Sequence, residues 1–359
     1  HSMFVDAAGD LYVFGVTGSS NFPVSTSAYQ STFAGGDSVN FDGYDFRNGT
    51  DIFIVKFNAA GSALLASTYL GGTENDGLNL NMASNYGDQS RGEIVIGDDN
   101  MVYITASTIS TDFPVLNAAQ LSLGGSQDAI VVKMNNSLSA ISWSTYYGGA
   151  QEDAGYGIKV GSNGSVYICG GTTGSALAGV AGKYHSAYLG GSKDGYIAQF
   201  NQLTGALQGA TYVGTNAYDQ TFLIDLDKFN NVFVFGQTQG NYPVSPNVYS
   251  NNAGKQFIHK FNSDLSTSSF STIFGRGSSG IDIVPTALNV DDCLNILLSG
   301  WGGDVNQGYL GGTTRNLPVT PDAYQSTTDG SDFYLMVLGP NADSLKYATF
   351  FGGNTSAEH

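Results

Sequence analysis

Charge is scarce in this chain of 359 residues: Asp, Glu, Lys and Arg make up 12% of it, about half the share usual in globular domains. Basic residues are scarcer still, with 13 Lys and Arg against 30 acids and a net charge of −17. Affinity for phosphate backbones needs dense cationic contacts, so nucleic acid is excluded as a partner. A cation or a neutral glycan suits the surface better. Long apolar runs are also missing, and the first residues lack a basic segment followed by an apolar stretch. The sequence therefore shows neither a membrane span nor a signal peptide, and no direct membrane insertion is expected. Cysteine is limited to Cys169 and Cys293, too few for a disulfide framework and too distant for a metal-ligand pair. Both read as buried thiols. Glycine is abundant at 49 residues, about twice its usual share.

The abundant residues are arranged in a repeat. Asp51-Ile-Phe-Ile-Val-Lys-Phe-Asn58 returns at Asp128 to Asn135, at Asp194 to Asn201, at Gln256 to Asn262 with one residue missing, and degenerately at Asp332 to Gly339. About ten residues later comes an aromatic ending on glycine: Ser67-Thr-Tyr-Leu-Gly-Gly72, then Ser144 to Gly149, Ala210 to Thr215, Ser271 to Arg276 and Ala348 to Gly353. Ahead of each pair lie two shorter alternating runs around a polar turn, as in Gly157 to Val160 and Ser165 to Cys169. Alternation at period two in Val, Ile, Tyr and Phe, broken by Asn, Asp and Gly, predicts antiparallel hairpins. Five copies of four strands predict an all-β fold, a β-propeller of four-stranded antiparallel blades. The boundaries fall at about 1–72, 73–149, 150–215, 216–276 and 277–353 in a single propeller domain. The chain opens at His1 and stops at His359 in mid-pattern, which reads as a segment excised from a larger protein.

The quoted segments, with Gly157-Ile-Lys-Val160 and Ser165-Val-Tyr-Ile168, resemble the SBBP β-propeller repeat over nearly the whole chain. Asn85-Tyr-Gly-Asp-Gln-Ser-Arg-Gly-Glu93 and the ending Phe350 to His359 are similar to propeller regions of large secreted Bacteroidota proteins. The resemblance implies export by type IX secretion, or gliding-associated display at the cell surface. It supplies no catalytic residues.

Function in such a fold is expected in the loops that join strand two to strand three and one blade to the next, which share one end of the sheets. The inter-blade loops place acids after each glycine ending: Glu74 and Asp76, Glu152 and Asp153, Asp219, Asp282 and Glu358. Together they read as a ring of carboxylates for a cation or glycan, or as turn acids capping backbone amides. Two of them at suitable separation would allow glycoside hydrolysis. The long within-blade connectors share Phe22-Pro-Val24 then Ala28-Tyr-Gln30, Phe113-Pro-Val115 then Ala119-Gln120, Tyr242-Pro-Val244 then Val248-Tyr249, and Leu317-Pro-Val319 then Ala323-Tyr-Gln325. Such regularity predicts a structural role, with proline fixing the turn and tyrosine packing between blades. Blade three departs from it with Tyr184, His185 and Tyr188 and no proline, so its loop is a candidate ligand site.

Two insertions interrupt the period. Blade one adds a run of oxygen side chains with Asp42, Asp45, Asn48 and Asp51, a candidate calcium loop without EF-hand spacing. Blade two adds Leu78 to Arg91, where Asp88, Arg91 and Glu93 predict an internal ion pair. The combined expectation is a non-enzymatic extracellular module, structural or binding a surface polysaccharide or another surface or secretion protein. The alternative is a carbohydrate-active enzyme using the loop carboxylates.

Overall fold

The computed structural model describes residues 2–41, 43–251, 253–278 and 280–353. Blade one is built from β1 (Ser2–Val5), β2 (Leu11–Thr17), β5 (Asp51–Phe57) and β6 (Leu64–Leu70), with the insertion hairpin β3 (Val39–Phe41) and β4 (Tyr44–Phe46) between its second and third strands. Blade two holds β7 (Glu93–Ile96), β8 (Val102–Thr108), β9 (Asp128–Met134) and β10 (Ile141–Tyr147). Blade three holds β11 (Asp153–Val160), β12 (Ser165–Thr172), β13 (Asp194–Asn201) and β14 (Leu207–Val213). Blade four follows with β15 (Asp219–Leu226), β16 (Val232–Thr238), β17 (Gln256–Phe261) and β18 (Ser268–Phe274). Blade five has β19 (Val284–Val290), β20 (Ile296–Trp301), β21 (Phe333–Leu338) and β22 (Leu345–Phe351). In each blade the four strands pair in chain order. The fold is all-β, a β-propeller of five four-stranded antiparallel blades, as the period predicts.

Contacts divide the chain into two compact units. One comprises residues 1–83, 87–179 and 198–208, the other 84–86, 180–197 and 209–359. Within the first, Ile52 and Ile54 of β5 cluster with Ile94, Ile104, Ile130 and Val132 of blade two. Within the second, Phe233, Phe235 and Ile258 of blade four cluster with Ile296, Leu298, Tyr334 and Met336 of blade five. Period-two alternation puts these residues on opposite faces of neighbouring sheets, so one face of blade one packs on the other face of blade two, and blade four packs on blade five in the same way.

Two readings of the sequence are corrected, one by strand register and one by burial. Thr17 pairs with Asp51 and Gly15 with Phe53 in blade one, while Gly236 pairs with Phe257 and the Thr238 amide donates to the Lys255 carbonyl in blade four. The blade-four segment therefore begins at Lys255 with no residue missing, and a lysine stands where the other blades carry aspartate. Cys169 is buried, but Cys293 is exposed at the turn between β19 and β20.

The connectors lie along the outermost strands. The Ser25 and Ser245 amides donate to the Ser67 and Ser271 carbonyls, the Tyr69 and Phe350 amides donate to the Gln30 and Gln325 carbonyls, and Leu116 and Ser144 exchange a pair of bonds. They occupy the donors and acceptors an edge strand would otherwise expose. The ring before the proline does the packing: Phe22 lies 4.8 Å from Phe53, and Tyr242 stacks on Phe257 at 4.1 Å. The tyrosines after it behave unequally. Tyr249 packs on the core of blades four and five, whereas Tyr29 is half-exposed and Tyr324 is 79% exposed.

Few as they are, the lysines recur by position. Lys56 lies 3.1 Å from Asp10, Lys133 2.8 Å from Asp99 and Lys260 3.0 Å from Asp227, each above the ring of Tyr12, Tyr103 or Phe233. Hydrogen bonds from Asn231 and the Lys260 ammonium outweigh burial and hold Asp227 below the usual carboxylate range. Lys260 and Asp227 are both buried, so removing one partner strands the other. Lys260→Ala is expected to lower the unfolding free energy by about 3 kcal/mol, measured by urea denaturation, and Lys260→Ala with Asp227→Asn to recover part of that loss.

Candidate functional site

The two sets of loops meet at one end of the sheets. In blade one the Thr50 amide donates to Asn75 Oδ1 (2.9 Å) and the Asp76 amide to the Thr50 carbonyl (2.9 Å), joining the connector to the inter-blade loop. Aspartates from both sets lie here. Asp51 accepts the amides of Ala34 and Gly35, both at 2.8 Å, and Asp128 accepts those of Gly124 (2.8 Å) and Gly125 (3.2 Å). Asp194 accepts the Leu189 amide. In the inter-blade loops Asp76 takes the Gly72 amide at 2.7 Å, Asp153 that of Gly149 at 2.7 Å, Asp219 that of Thr215 at 2.6 Å and Asp282 that of Arg276 at 2.9 Å. All seven carboxylates are fully buried.

The glycine ending follows from this crowding. A side chain on Gly148 would begin 2.6 Å from Asp128 Oδ1 and 2.7 Å from Asp153 Oδ2, and one on Gly71 2.7 Å from Asp76 Oδ2. Glutamines complete the arrangement: Gln120 Nε2 donates to Asp128 (2.7 Å) while its Oε1 accepts the Gly148 amide (3.0 Å). Gln30 does the same between Asp51 and Gly71, and Gln325 between Asp332 and Gly352. The repeated Ala-Tyr-Gln thus owes its regularity to glutamine, a residue whose role the sequence reading passed over. The signal was there in its fixed spacing from the aspartate and the glycine.

Burial sets the ionisation of these acids. It pushes Asp76 from 3.8 up to about 8, against opposing bonds from Thr108, Gly72 and Ser110, and Asp153 and Asp194 up to about 7. Asp219 and Asp282 rise to about 6, again through desolvation. Oδ1 of Asp153, Asp194 and Asp219 has no hydrogen-bond partner among the described residues, which leaves the ionised form incompletely compensated. Two acids of the sequence-derived ring have solvent access. Glu74 is half-buried, and Glu152, also half-buried, is held below its usual value by the Thr173 hydroxyl at 2.8 Å. Glu358 lies outside the described residues.

Blade three differs where its sequence does. His185 occupies the glutamine position, since its amide donates to Thr211 Oγ1 (2.9 Å) as that of Gln120 does to Thr145 Oγ1 (2.9 Å). Tyr184 meets the His185 ring at 4.2 Å and the His259 ring at 5.5 Å. Tyr188 lies 6.1 Å from Tyr212 and is pushed up to about 12 by burial and the nearby Asp194. All three candidates are half-buried. His259 is buried between Tyr242 Oη (2.8 Å) and Ser268 Oγ (2.7 Å), and desolvation lowers it to about 3, so it is neutral.

The insertions resolve separately. Asp45 is exposed and pairs with Arg47 at 3.2 Å, Asn48 is exposed, and Asp51 is buried under its amides. Asp42 lies outside the described residues. Among the described residues no three His, Cys, Asp or Glu side chains gather closely enough to share an ion. In blade two the buried Asp88 pairs with Arg91 at 2.6 Å, the internal pair the sequence predicts, while Glu93 instead meets Lys159 at 2.5 Å. The same insertion supplies neutral amides to each unit. Asn79 bonds Tyr156 Oη (3.0 Å) and Gln127 Nε2 (2.9 Å), and Asn85 bonds Gln237 (3.1 Å) and Asn306 (3.2 Å).

No family model and no curated protein matches the chain. Among solved structures it is similar to a protein of unknown function from Dyadobacter fermentans, with TM-score 0.42 and 10% identity over 84% of this chain and 71% of that one. It is also similar to BamB from Moraxella catarrhalis (TM-score 0.33, 13% identity, 82% of this chain and 65% of that one) and to a variant of the NanB sialidase from Streptococcus pneumoniae (0.45, 7%, 98% and 60%). The chain thus spans less than two thirds of the length of the latter two.

Two outcomes follow. Gly148→Ala is expected to cost about 1–3 kcal/mol in urea unfolding, because the added carbon meets two carboxyls. For the raised acids, the folded state binds protons more tightly than the unfolded one between pH 3.8 and the folded values of about 6 to 8. Their stabilising contribution is complete below the unfolded value and is lost as pH rises through the folded ones. The melting temperature is therefore expected to fall across that window, with a shallower fall in Asp76→Asn, as read by calorimetry.

Proposed function

We propose that this chain is a non-catalytic β-propeller module of a secreted or surface-displayed bacterial protein, and that it binds a polysaccharide through the blade-three loop. The observation that carries this reading is the replacement of glutamine by His185. That loop lacks the glutamine tie to its aspartate and presents the half-buried rings of Tyr184, His185 and Tyr188. Aromatic faces with a polar tip suit the apolar faces and hydroxyls of a sugar ring, and the low positive charge favours a neutral or cation-bridged glycan over an anionic one. Binding is favoured over hydrolysis because Asp76, Asp153, Asp219 and Asp282 are fully buried and accept backbone amides, whereas a glycosidase needs two carboxyls facing the scissile bond. The likeness of the repeat to SBBP propellers of Bacteroidota supports a place in type IX export or gliding-associated adhesion, as part of the same proposal.

Titration of the chain with soluble neutral polysaccharides, followed by intrinsic tyrosine fluorescence and calorimetry, tests the reading. At least one glycan is expected to bind without being cleaved, and Tyr188→Ala or His185→Ala to weaken it about tenfold. Reducing-end release during the titration, or affinity unchanged in both variants, would overturn it.

A further inference from the structure

A polar frame recurs at the loop end of the blades, and blade three keeps it with a single member missing. In blades one, two and five a glutamine spans from the third-strand aspartate to the glycine of the turn, Nε2 donating to the carboxyl and Oε1 accepting the glycine amide. Connector amides add to this, so both oxygens of Asp51 and both of Asp128 are bonded. Blade four has lost aspartate and glutamine together: Lys255 stands for the first, and Ser250 follows Tyr249 where glutamine follows Tyr29 and Tyr324. Blade three has lost only the glutamine. Its backbone is unchanged there, since the Tyr212 amide donates to the His185 carbonyl (3.2 Å) as the Tyr69 amide does to that of Gln30 (3.1 Å). A side chain on Gly214 would begin 2.8 Å from Asp194 Oδ1, against 3.0 Å for Gly71 and Asp51 and 2.6 Å for Gly148 and Asp128. Aspartate and glycine therefore stand in the same relation in all three blades.

What remains is a gap of defined chemistry. Asp194 is fully buried, its Oδ2 takes the Leu189 amide, and its Oδ1 has no hydrogen-bond partner among the described residues. A buried carboxylate oxygen without a donor is unfavourable. The His185 ring has no oxygen to offer the Gly214 amide, and it packs on Tyr184 at 4.2 Å instead. A group that completes the frame must do what a glutamine side chain does: donate an N–H and accept an amide through one planar carboxamide. The acetamido group of a 2-acetamido sugar does both, and the half-buried rings of Tyr184 and Tyr188 on the same loop suit the sugar ring that carries it. We propose that the polysaccharide bound by blade three contains 2-acetamido sugars, and that one acetamido group takes the place of the missing glutamine, its N–H on the Asp194 carboxyl and its carbonyl on the Gly214 amide. The proposal rests on the glycan reading above and names its ligand class. Asp194 stays an internal fastener, with the sugar supplying the tie that Gln30, Gln120 and Gln325 supply elsewhere. Gly190 and Gly214 are half-buried, so the gap lies just beneath the surface and opens as the His185 ring turns aside.

The N-acetylglucosamine hexamer of chitin and the glucose hexamer of cellulose share a backbone and differ in the acetamido group on each ring. Calorimetry compares them on the wild-type chain, and N-acetylgalactosamine with galactose, at a pH above the value of about 7 to which burial raises Asp194. The acetylated member of at least one pair is expected to bind about tenfold tighter, and the Gly214 amide to shift in nitrogen-15 NMR with that member alone. His185→Gln supplies the tie from within the chain, so it is expected to raise the urea midpoint and to abolish the preference for the acetylated sugar. The wild-type comparison stands whether or not that variant folds. Equal affinity within both pairs, a tighter-binding glycan without acetamido groups, or a preference that His185→Gln leaves unchanged would overturn this proposal and leave the glycan reading standing. A Gly214 shift evoked by a glutamine-rich peptide in place of the sugars would overturn it in favour of a protein ligand. Binding of no glycan at all would overturn both readings.

Discussion

The structure depends on how a tight glycine turn disposes of its amides where the last strand of one blade hands over to the first of the next. The turn is buried in blade one and half-buried in blades two and three, so its amides need acceptors inside the protein. Aspartate supplies it at Asp76, Asp153, Asp219 and Asp282. Packing these carboxyls beside Asp51, Asp128 and Asp194 leaves no room for a side chain on the turn, which makes glycine the residue of choice at positions 71, 148 and 214. In blades one and two glutamine then ties the connector to the adjacent Asp51 or Asp128 and to the same turn, so one polar cluster fixes the connector, the strand start and the strand end together.

This arrangement accounts for a composition that looks contradictory. A protein with net charge −17 would be expected to spread its acids over the surface, yet many of its aspartates are buried. Their burial costs little when the carboxyl is neutral or is surrounded by amide and hydroxyl donors. The scarce lysines serve the opposite end of the sheets, where Lys56, Lys133 and Lys260 each neutralise a turn aspartate and cover an aromatic ring. Blade four substitutes Lys255 into the acidic position, where its ammonium reaches the Gln239 and Gly240 carbonyls and offsets a small part of the burial that raises the neighbouring Asp219.

Periodicity made the architecture legible: alternating runs, a shared segment beginning at Asp51 and a glycine ending were enough to place five blades of four strands. What periodicity alone could not give was partnership. The blade-four register was read one residue late because Lys255 does not resemble Asp51, and a backbone pair, not a side chain, identifies the equivalence. The acids were legible as turn acids but their burial was not, since it depends on neighbours such as Thr108 and Ser110, 32 and 34 residues away. The Asn85, Gln237 and Asn306 cluster was invisible for the same reason: its members lie 152 and 221 positions apart, and neutral amides carry no motif.

The central claim is that the recurring aspartates are internal fasteners whose ionisation burial makes harder, not open ligands. Carbon-13 NMR of the aspartate carboxyl groups, followed through an acid titration of the folded chain, measures this directly. The account predicts that Asp76 and Asp153 titrate near 8 and 7 and keep a neutral-carboxyl shift below those values. Midpoints at the ordinary 3.8 for both, with solvent-exposed carboxylate shifts at neutral pH, would contradict it.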